Sequence, residues 1–179
     1  MRILSGSLKN RSIYFEKDRF LRPTRNIVRK SFFDTVQFKV EGAIFLDLFA
    51  GTGSIGIEAL SRGAKEVFFV DSSPKSVDII SKNIGVFGRD NVHIYKIDAQ
   101  RFLYTPYIDR IDLAYIDPPY SFDINAFLKI FFQRANSNIY VCVEHKSNVI
   151  LEDKFCRFFK IKSKKFGKNM LDYFEGENG

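Results

Sequence analysis

The sequence predicts an α/β fold of the Rossmann-like kind. The expected core is a mostly parallel, seven-stranded sheet covered on both faces by helices and closed by a C-terminal antiparallel hairpin. A small N-terminal β-hairpin and a helix precede it. Two stretches carry this reading. In the first, the apolar run Ile44 to Phe49 ends in Ala50-Gly51-Thr52-Gly53, and a helix-type pattern begins at once with Ser54-Ile55-Gly56-Ile57. That is the pattern of a buried strand, a tight turn and a helix whose free N–H groups face a ligand. In the second, the run Asp112 to Ile116 ends in Asp117-Pro118-Pro119-Tyr120. Elsewhere apolar runs alternate with helical patterns, the rhythm of βαβ units in a sheet buried on both sides.

Taken in order, residues 2 to 15 read as short strands around the Ser5-Gly6-Ser7 turn. Leu21-Arg22-Pro23-Thr24 leads into a helix from about Arg25 to Phe38, with Thr24 as its N-cap and Val28, Phe32 and Val36 as its packing face. Strand one is Ile44 to Phe49, followed by a short helix from Ser54 to Arg62 that Gly63 closes. Strand two, Glu66 to Val70, ends at Asp71; Ser73-Pro74 then forms an N-cap and first helical position. Val77, Ile80, Ile84 and Phe87 line one face of that helix, and Gly88 ends it. Strand three is Val92 to Ile97, with Asp98-Ala99-Gln100 after it and a short turn or helix at Arg101 to Leu103. Strand four is Ile111 to Ile116, Ala126 to Phe132 is helical, and strand five is Ile139 to Glu144. Lys154 to Lys162 and Asn169 to Phe174 read as two last strands joined around Gly167. The division is an appendage at 1–41 and a body at 42–179.

Composition narrows the classes. A chain of 179 residues with 45% hydrophobic and 27% charged residues can bury the core of one domain. Cys142 and Cys156 form no metal or disulfide pattern and point to a reducing, cytoplasmic compartment. Neither a signal peptide nor a membrane span is legible, and no metal-ligand spacing occurs. The net charge is +7 and unevenly placed: residues 1–30 hold nine Lys or Arg against Glu16 and Asp18, and residues 154–168 hold seven with no acid. A solubilising surface can look like this, but two basic blocks around a more neutral middle fit a polyanionic partner better. Arg22, Arg25, Arg29 and Lys30 crowd a helix start, which an anion would relieve, as would neighbouring carboxylates.

The acids have separable roles. Asp47, Asp71, Asp98 and Asp117 fall at or just after strand ends, which in a parallel sheet share the ligand-binding edge. Asp71, twenty residues after Gly51, suits a ribose diol, and Asp98 an adenine amino group. Asp47, just before the glycine turn, suits a cationic group such as the ammonium of S-adenosylmethionine and disfavours a dinucleotide pyrophosphate. Each could instead cap a turn or face water. Asp117-Pro118-Pro119-Tyr120 is the more specific signal. A carboxylate and the Pro118 carbonyl can accept both N–H bonds of an exocyclic base amine, and Tyr120 offers a face for a flipped base. His93 reads as structural, whereas His145, next to a strand end, reads as structural or substrate-contacting.

With these motifs in view, the sequence resembles the RsmD family, which methylates N2 of a guanine in 16S ribosomal RNA. The matching stretches are Arg2-Ile3 with the Gly6 turn, Leu21 to Thr24 into Val28-Arg29, Asp47 to Gly53, Glu58-Ala59-Leu60-Ser61-Arg62-Gly63-Ala64, and Asp117 to Tyr120. The resemblance implies a class I S-adenosylmethionine-dependent methyltransferase fold. It implies cofactor binding by Asp47, Phe49, Ala50, Gly51, Thr52, Gly53, Asp71, Ser72, Asp98 and Ala99, with catalysis at Asp117, Pro118, Pro119 and Tyr120. RNA contacts are implied at Arg2, Arg11, Arg22, Arg25, Arg29 and Lys30. The implied partner is 16S rRNA in an assembling small ribosomal subunit, with the enzyme a monomer by default and free of metal. Two departures stand out: Asp71 where Glu is frequent, and Asn169 where the tail pattern has Thr. A DNA amino-methyltransferase is the competing enzyme reading, and a basic RNA-binding protein with an inactive site is the non-enzyme one.

Overall fold

The computed structural model of the chain describes residues 1–15, 26–88 and 90–177. Five parallel strands form its body: β1 (Ile44–Leu48), β2 (Glu66–Asp71), β3 (Val92–Lys96), β4 (Leu113–Ile116) and β5 (Tyr140–Lys146). Three antiparallel strands extend the sheet beyond β5, namely β6 (Lys154–Phe155), β7 (Phe158–Phe166) and β8 (Asn169–Gly176). The order across the sheet is β3-β2-β1-β4-β5-β8-β7-β6. From β1 the chain winds outward through β2 and β3, then returns to place β4 on the other side of β1. That reversal opens a crevice at the carboxyl ends of β1 and β4.

The central strands β1, β2, β4 and β5 are almost wholly buried because helices cover both faces, while β3 at the edge is half-buried. On one face lie α1 (Asn26–Thr35), α2 (Ser54–Ser61) and α3 (Pro74–Phe87), packed on Phe45, Val67, Phe69, Tyr115, Cys142 and Tyr173. On the other lie α4 (Ala99–Phe102) and α5 (Ile124–Arg134), packed on Leu46, Phe68, Ala114, Val141 and Phe174. Gly56 makes the first face possible. A Cβ there would lie 2.3 Å from the Phe69 ring, so α2 sits closer to the sheet than any side chain would permit.

Several expectations shift. The N-terminal hairpin is one antiparallel bridge, Arg2 to Ser12, because its backbone is turned toward α2 rather than along a partner strand. Leu4 and Ser5 donate to the Glu58 carboxylate at 2.8 and 3.0 Å, and Leu8 donates to Ser61 Oγ at 2.9 Å. Gly6 (φ +82°) lies where a Cβ would meet the Ser61 carbonyl, so that turn admits only glycine. Farther along, Asn83 of α3 exchanges two hydrogen bonds with the Tyr14 backbone, at 2.7 and 3.0 Å. The first helix is described from Asn26, and Thr24 lies outside the described residues. The last basic stretch holds two strands, not one: Cys156 takes φ +53° and breaks Lys154–Phe155 from β7, which makes eight strands in place of seven. Among the described residues no helix is long and apolar enough to cross a membrane.

Candidate active site

Strand register brings the acids together. Asp47 of β1 pairs with Tyr115 of β4, and Tyr115 with Cys142 of β5. Side chains two residues on share a face, so Asp117 and Glu144 join Asp47 at the carboxyl edge of the same face. A cleft of about 300 Å³ opens there, lined by Asp47, Phe49, Ala50, Gly51, Thr52, Ser54, Ile55, Tyr115 and Asp117.

The row is short of cations, and its titration reflects that. Burial pushes Asp47 up to about 8; an N–H bond from Gly56 at 2.8 Å opposes the shift, and nearby Asp71 adds to it. Burial likewise raises Asp117 well above the carboxylate range, with Glu144 and then Asp47 adding to the shift. Glu144 is buried and bonded, accepting from the Tyr115 hydroxyl and from Asn169 Nδ2. Among the described residues no side chain donates to Asp117. A site so arranged is suited to a ligand that arrives carrying positive charge.

The glycine turn shapes the opposite wall. Gly53 caps α2 in the left-handed region (φ +71°), leaving the helix N-terminus without a side-chain cap and facing the cleft. Phe49 also has a positive φ, 62°, unusual for an aromatic residue, and its ring is held edge-on by Phe122 and Phe127 at 5.0 and 5.8 Å. Strain of this kind, about 1–3 kcal/mol, persists where surrounding packing fixes it and clusters at ligand turns. Asp71 binds the turn itself, accepting from Gly51 N and Ser73 N at 2.8 Å each. Each of its oxygens keeps a second lone pair.

After β4, the Asp117 backbone is held by Leu48 O, and Phe122 N donates to Pro119 O across a tight turn at 2.9 Å. Pro119 and Tyr120 are consequently exposed, and the Tyr120 ring carries Lys146 Nζ 4.2 Å from its centroid. Thus the cleft collects Asp47, Phe49, Ala50, Gly51, Thr52 and Asp117, with Pro118, Pro119 and Tyr120 at its rim. Gly53, Asp71 and Ser72 flank it through the turn. Asp98 and Ala99 lie farther along the same edge, where Asp98 Oδ1 caps α4 through Gln100 N and Arg101 N at 2.9 and 3.3 Å.

The family described as conserved hypothetical protein 95 matches residues 1–175. The chain belongs to that family. One relative is ribosomal RNA small subunit methyltransferase D of Buchnera aphidicola. That protein is 32% identical over 163 residues, 88% of this chain and 85% of its own length. Among solved structures, yhhF of Escherichia coli superposes with a TM-score of 0.86 over 100% of this chain and 99% of its own, at 21% identity. SMU.776, solved in complex with SAH, gives 0.65 at 13% identity, over 79% of this chain and 49% of its own. At such identities the two structural matches speak to the fold, which is that of S-adenosylmethionine-dependent methyltransferases.

Two family stretches noted in the sequence prove to be halves of one contact. The Gly6 turn rests on Glu58 and Ser61 of the Glu58-to-Ala64 segment. Glu58 also receives Arg62 Nε at 2.9 Å and lies 3.9 Å from Arg29 Nε. This corrects the reading of Arg29 as an RNA contact. Its side chain is fully buried, donates to the Arg2 carbonyl and to Asn26 Oδ1, and fastens the N-terminal arm to α2. Lys30 is exposed and paired with Asp34 at 2.6 Å, while Arg2 and Arg11 are exposed. Arg22 and Arg25 lie outside the described residues.

His93 stacks on Phe68 at 4.5 Å, as a structural residue would. His145 is structural as well. It is buried on the opposite face of the sheet from the cleft, with Nε2 3.0 Å from Asp172 Oδ2 and Nδ1 2.9 Å from Lys146 O. Glu144, Tyr115 and Asn169 were not foreseen at the site. The available signal was Glu144 itself: an acid closing an apolar run in the strand beside the one that ends at Asp117.

Proposed function

We propose that this protein transfers methyl from S-adenosyl-L-methionine to the exocyclic N2 of a guanine in small-subunit ribosomal RNA. The observation that carries the reading is the row of acids at the β1/β4 crevice, half-buried Asp117 between buried Asp47 and Glu144, beside a turn that exposes Pro119 and Tyr120. The name of the Buchnera relative, a ribosomal RNA methyltransferase, supports the RNA substrate. The cofactor fits the residues present. Asp47 would hold its ammonium, the uncapped start of α2 and the Gly51–Gly53 turn its carboxylate, and the free lone pairs of Asp71 the ribose hydroxyls. Asp98 keeps Oδ2 for the adenine amino group. When bound, the cofactor supplies a methyl on a cationic sulfur, ready for displacement.

The chain's own residues prepare the nucleophile. A guanine amine is weakly nucleophilic because its lone pair is delocalised into the ring. The Asp117 carboxylate and the Pro118 carbonyl accept its two N–H bonds, turn the lone pair toward the methyl, and gain strength as positive charge grows on nitrogen. With the cofactor bound, nitrogen would form its new bond to the methyl carbon as the carbon–sulfur bond broke. The surplus proton leaves along the N–H bond to Asp117, whose raised affinity for protons suits it to receive one. Tyr120 provides the stacking face, and residues 1–41 serve the body at 42–179 as an RNA-facing arm.

Incubation with labelled cofactor and small subunits, followed by nucleoside analysis, tests this. N2-methylguanosine in small-subunit RNA is expected. Methyladenine in DNA with none in rRNA would point to a DNA amino-methyltransferase, and absence of cofactor binding by calorimetry to an inactive RNA-binding protein.

A further inference from the structure

The basic block at 154–168 divides by height along the sheet. At the end remote from the cleft its cations are engaged. Arg157 donates to Ala135 O at 3.1 Å, and Lys160 to Leu151 O and Asp153 at 2.8 Å each. Lys154 lies over the Phe159 ring at 4.6 Å. Lys162, midway along β7, is exposed, and Lys164, level with Glu144, docks on α1, donating to Thr35 Oγ1 and Ser31 Oγ at 2.8 and 3.2 Å. At the turn the pattern changes. Lys165 and Lys168 are exposed and have no acidic partner among the described residues.

Topology sets these two beside the active site. β8 runs antiparallel to β5, so the β7–β8 turn stands at the carboxyl end of β5. Ser147 N donates to Lys168 O at 2.8 Å and ties the turn to that end. One residue earlier is Lys146, whose ammonium rests on Tyr120. Asn169 at the base of the turn bonds Glu144, the neighbour of Asp117. Lys168 therefore stands at the sheet edge that carries the acidic cleft, beside Lys146 and the catalytic loop, with Lys165 just below it on the face that carries His145.

We propose that the tip of the β7–β8 hairpin, Lys165 and Lys168, is a phosphate grip for the RNA strand adjoining the target nucleotide, separate from the N-terminal arm. The proposal rests on the function proposed above and adds a surface to it. The charge pattern argues for a backbone contact rather than base reading, since lysines on an exposed turn present mobile point charges and no fixed donor plane. Lysines also guard exposed sheet edges against strand pairing. Lys162 stands mid-strand and can serve that duty, whereas Lys168 lies past the end of β7, in the turn, where there is no strand edge to guard.

The test uses Lys165→Gln with Lys168→Gln, and Lys165→Glu with Lys168→Glu, in the full chain. Methyl transfer to small subunits is followed at two salt concentrations, with melting temperature and S-adenosylmethionine affinity measured alongside. The glutamine pair is expected to raise KM about fivefold and the glutamate pair at least about tenfold, with kcat within about twofold of wild type. Loss of two phosphate contacts should flatten the dependence of log affinity on log salt by roughly 1.4 to 1.8. Unchanged KM and salt slope in folded, cofactor-binding variants would overturn the grip while leaving the activity standing, and a gain in aggregation alone would assign the lysines to edge protection. A wild-type protein that methylates no rRNA would overturn the parent reading and this one with it.

Discussion

Glu144 and His145 are adjacent in β5 and point to opposite faces of the sheet, and the polar groups around them meet burial in opposite ways. On the His145 side the buried acid is fully partnered. Asp172 accepts from the imidazole, from Ser163 Oγ at 2.6 Å, and lies 3.6 Å from Lys160 Nζ. Burial alone would raise its pKa, yet the bonds from His145 and Ser163 hold it below the ordinary value. On the Glu144 side three acids share a face with, among the described residues, no basic side chain bonded to them, and Asp47 and Asp117 are raised. One cluster is complete within the chain and stabilises it. The other is incomplete, and what it lacks is what a sulfonium cofactor with an ammonium group would bring.

The largest effect should come from Asp117→Ala. Turnover is expected to fall about a thousandfold, some 4 kcal/mol of transition-state stabilisation, while cofactor affinity by calorimetry stays within a few-fold. Retention of a tenth of the wild-type kcat would break the comparison, because Asp117 would then be a structural acid like Asp172. Next is Asp172→Ala, expected to cost about 3 kcal/mol of stability by leaving the buried His145 Nε2 without its partner. Denaturant unfolding should show the loss, and kcat of the folded protein should be unaffected.

A smaller effect separates the clusters by pH. The folded pKa of Asp47, about 8, lies above its unfolded value of 3.8, so the native state holds the extra proton. Stability therefore falls as pH rises from about 4 to 8, and Asp47→Asn should remove that decline. Asp172 has the opposite sign: its contribution is present above the unfolded value and lost as pH falls through the depressed one. Cofactor binding should draw the Asp47 proton off, so affinity should climb up to about tenfold per unit below pH 8 and level out above it. Calorimetry in buffers of different ionisation enthalpy would count the released proton, and a pH-independent affinity would remove Asp47 from the ammonium site.

Much of this was legible in the sequence because it is local. The strand-turn-helix at Ile44 to Ile57 and the Asp117 to Tyr120 turn are each written in consecutive residues, and they fixed the crevice and most of its lining. What was missed depends on register between distant segments. Glu144 joins Asp117 only because β5 pairs with β4, and Asn169 reaches Glu144 only through β8. Arg29 was misjudged for the same reason: a charged residue at a helix start reads as exposed until the arm and Glu58 close over it. The split of β6 from β7 turns on one left-handed residue, Cys156, which no residue preference announces.

The short helix α2 has a duty at each end. Its first turn opens on the cleft and holds Asp47 through Gly56, and its last turn carries Glu58 and Ser61, on which the N-terminal arm is fastened. Eight residues of helix measure about 12 Å, too short and too tightly seated on Phe69 to flex between these duties. Anything that steadies the first turn must steady the last, so the arm is a mechanical extension of the cofactor site. Slower amide exchange at Leu4, Ser5 and Leu8 when cofactor is added would be the signature of that stiffness, read at a distance from any ligand atom.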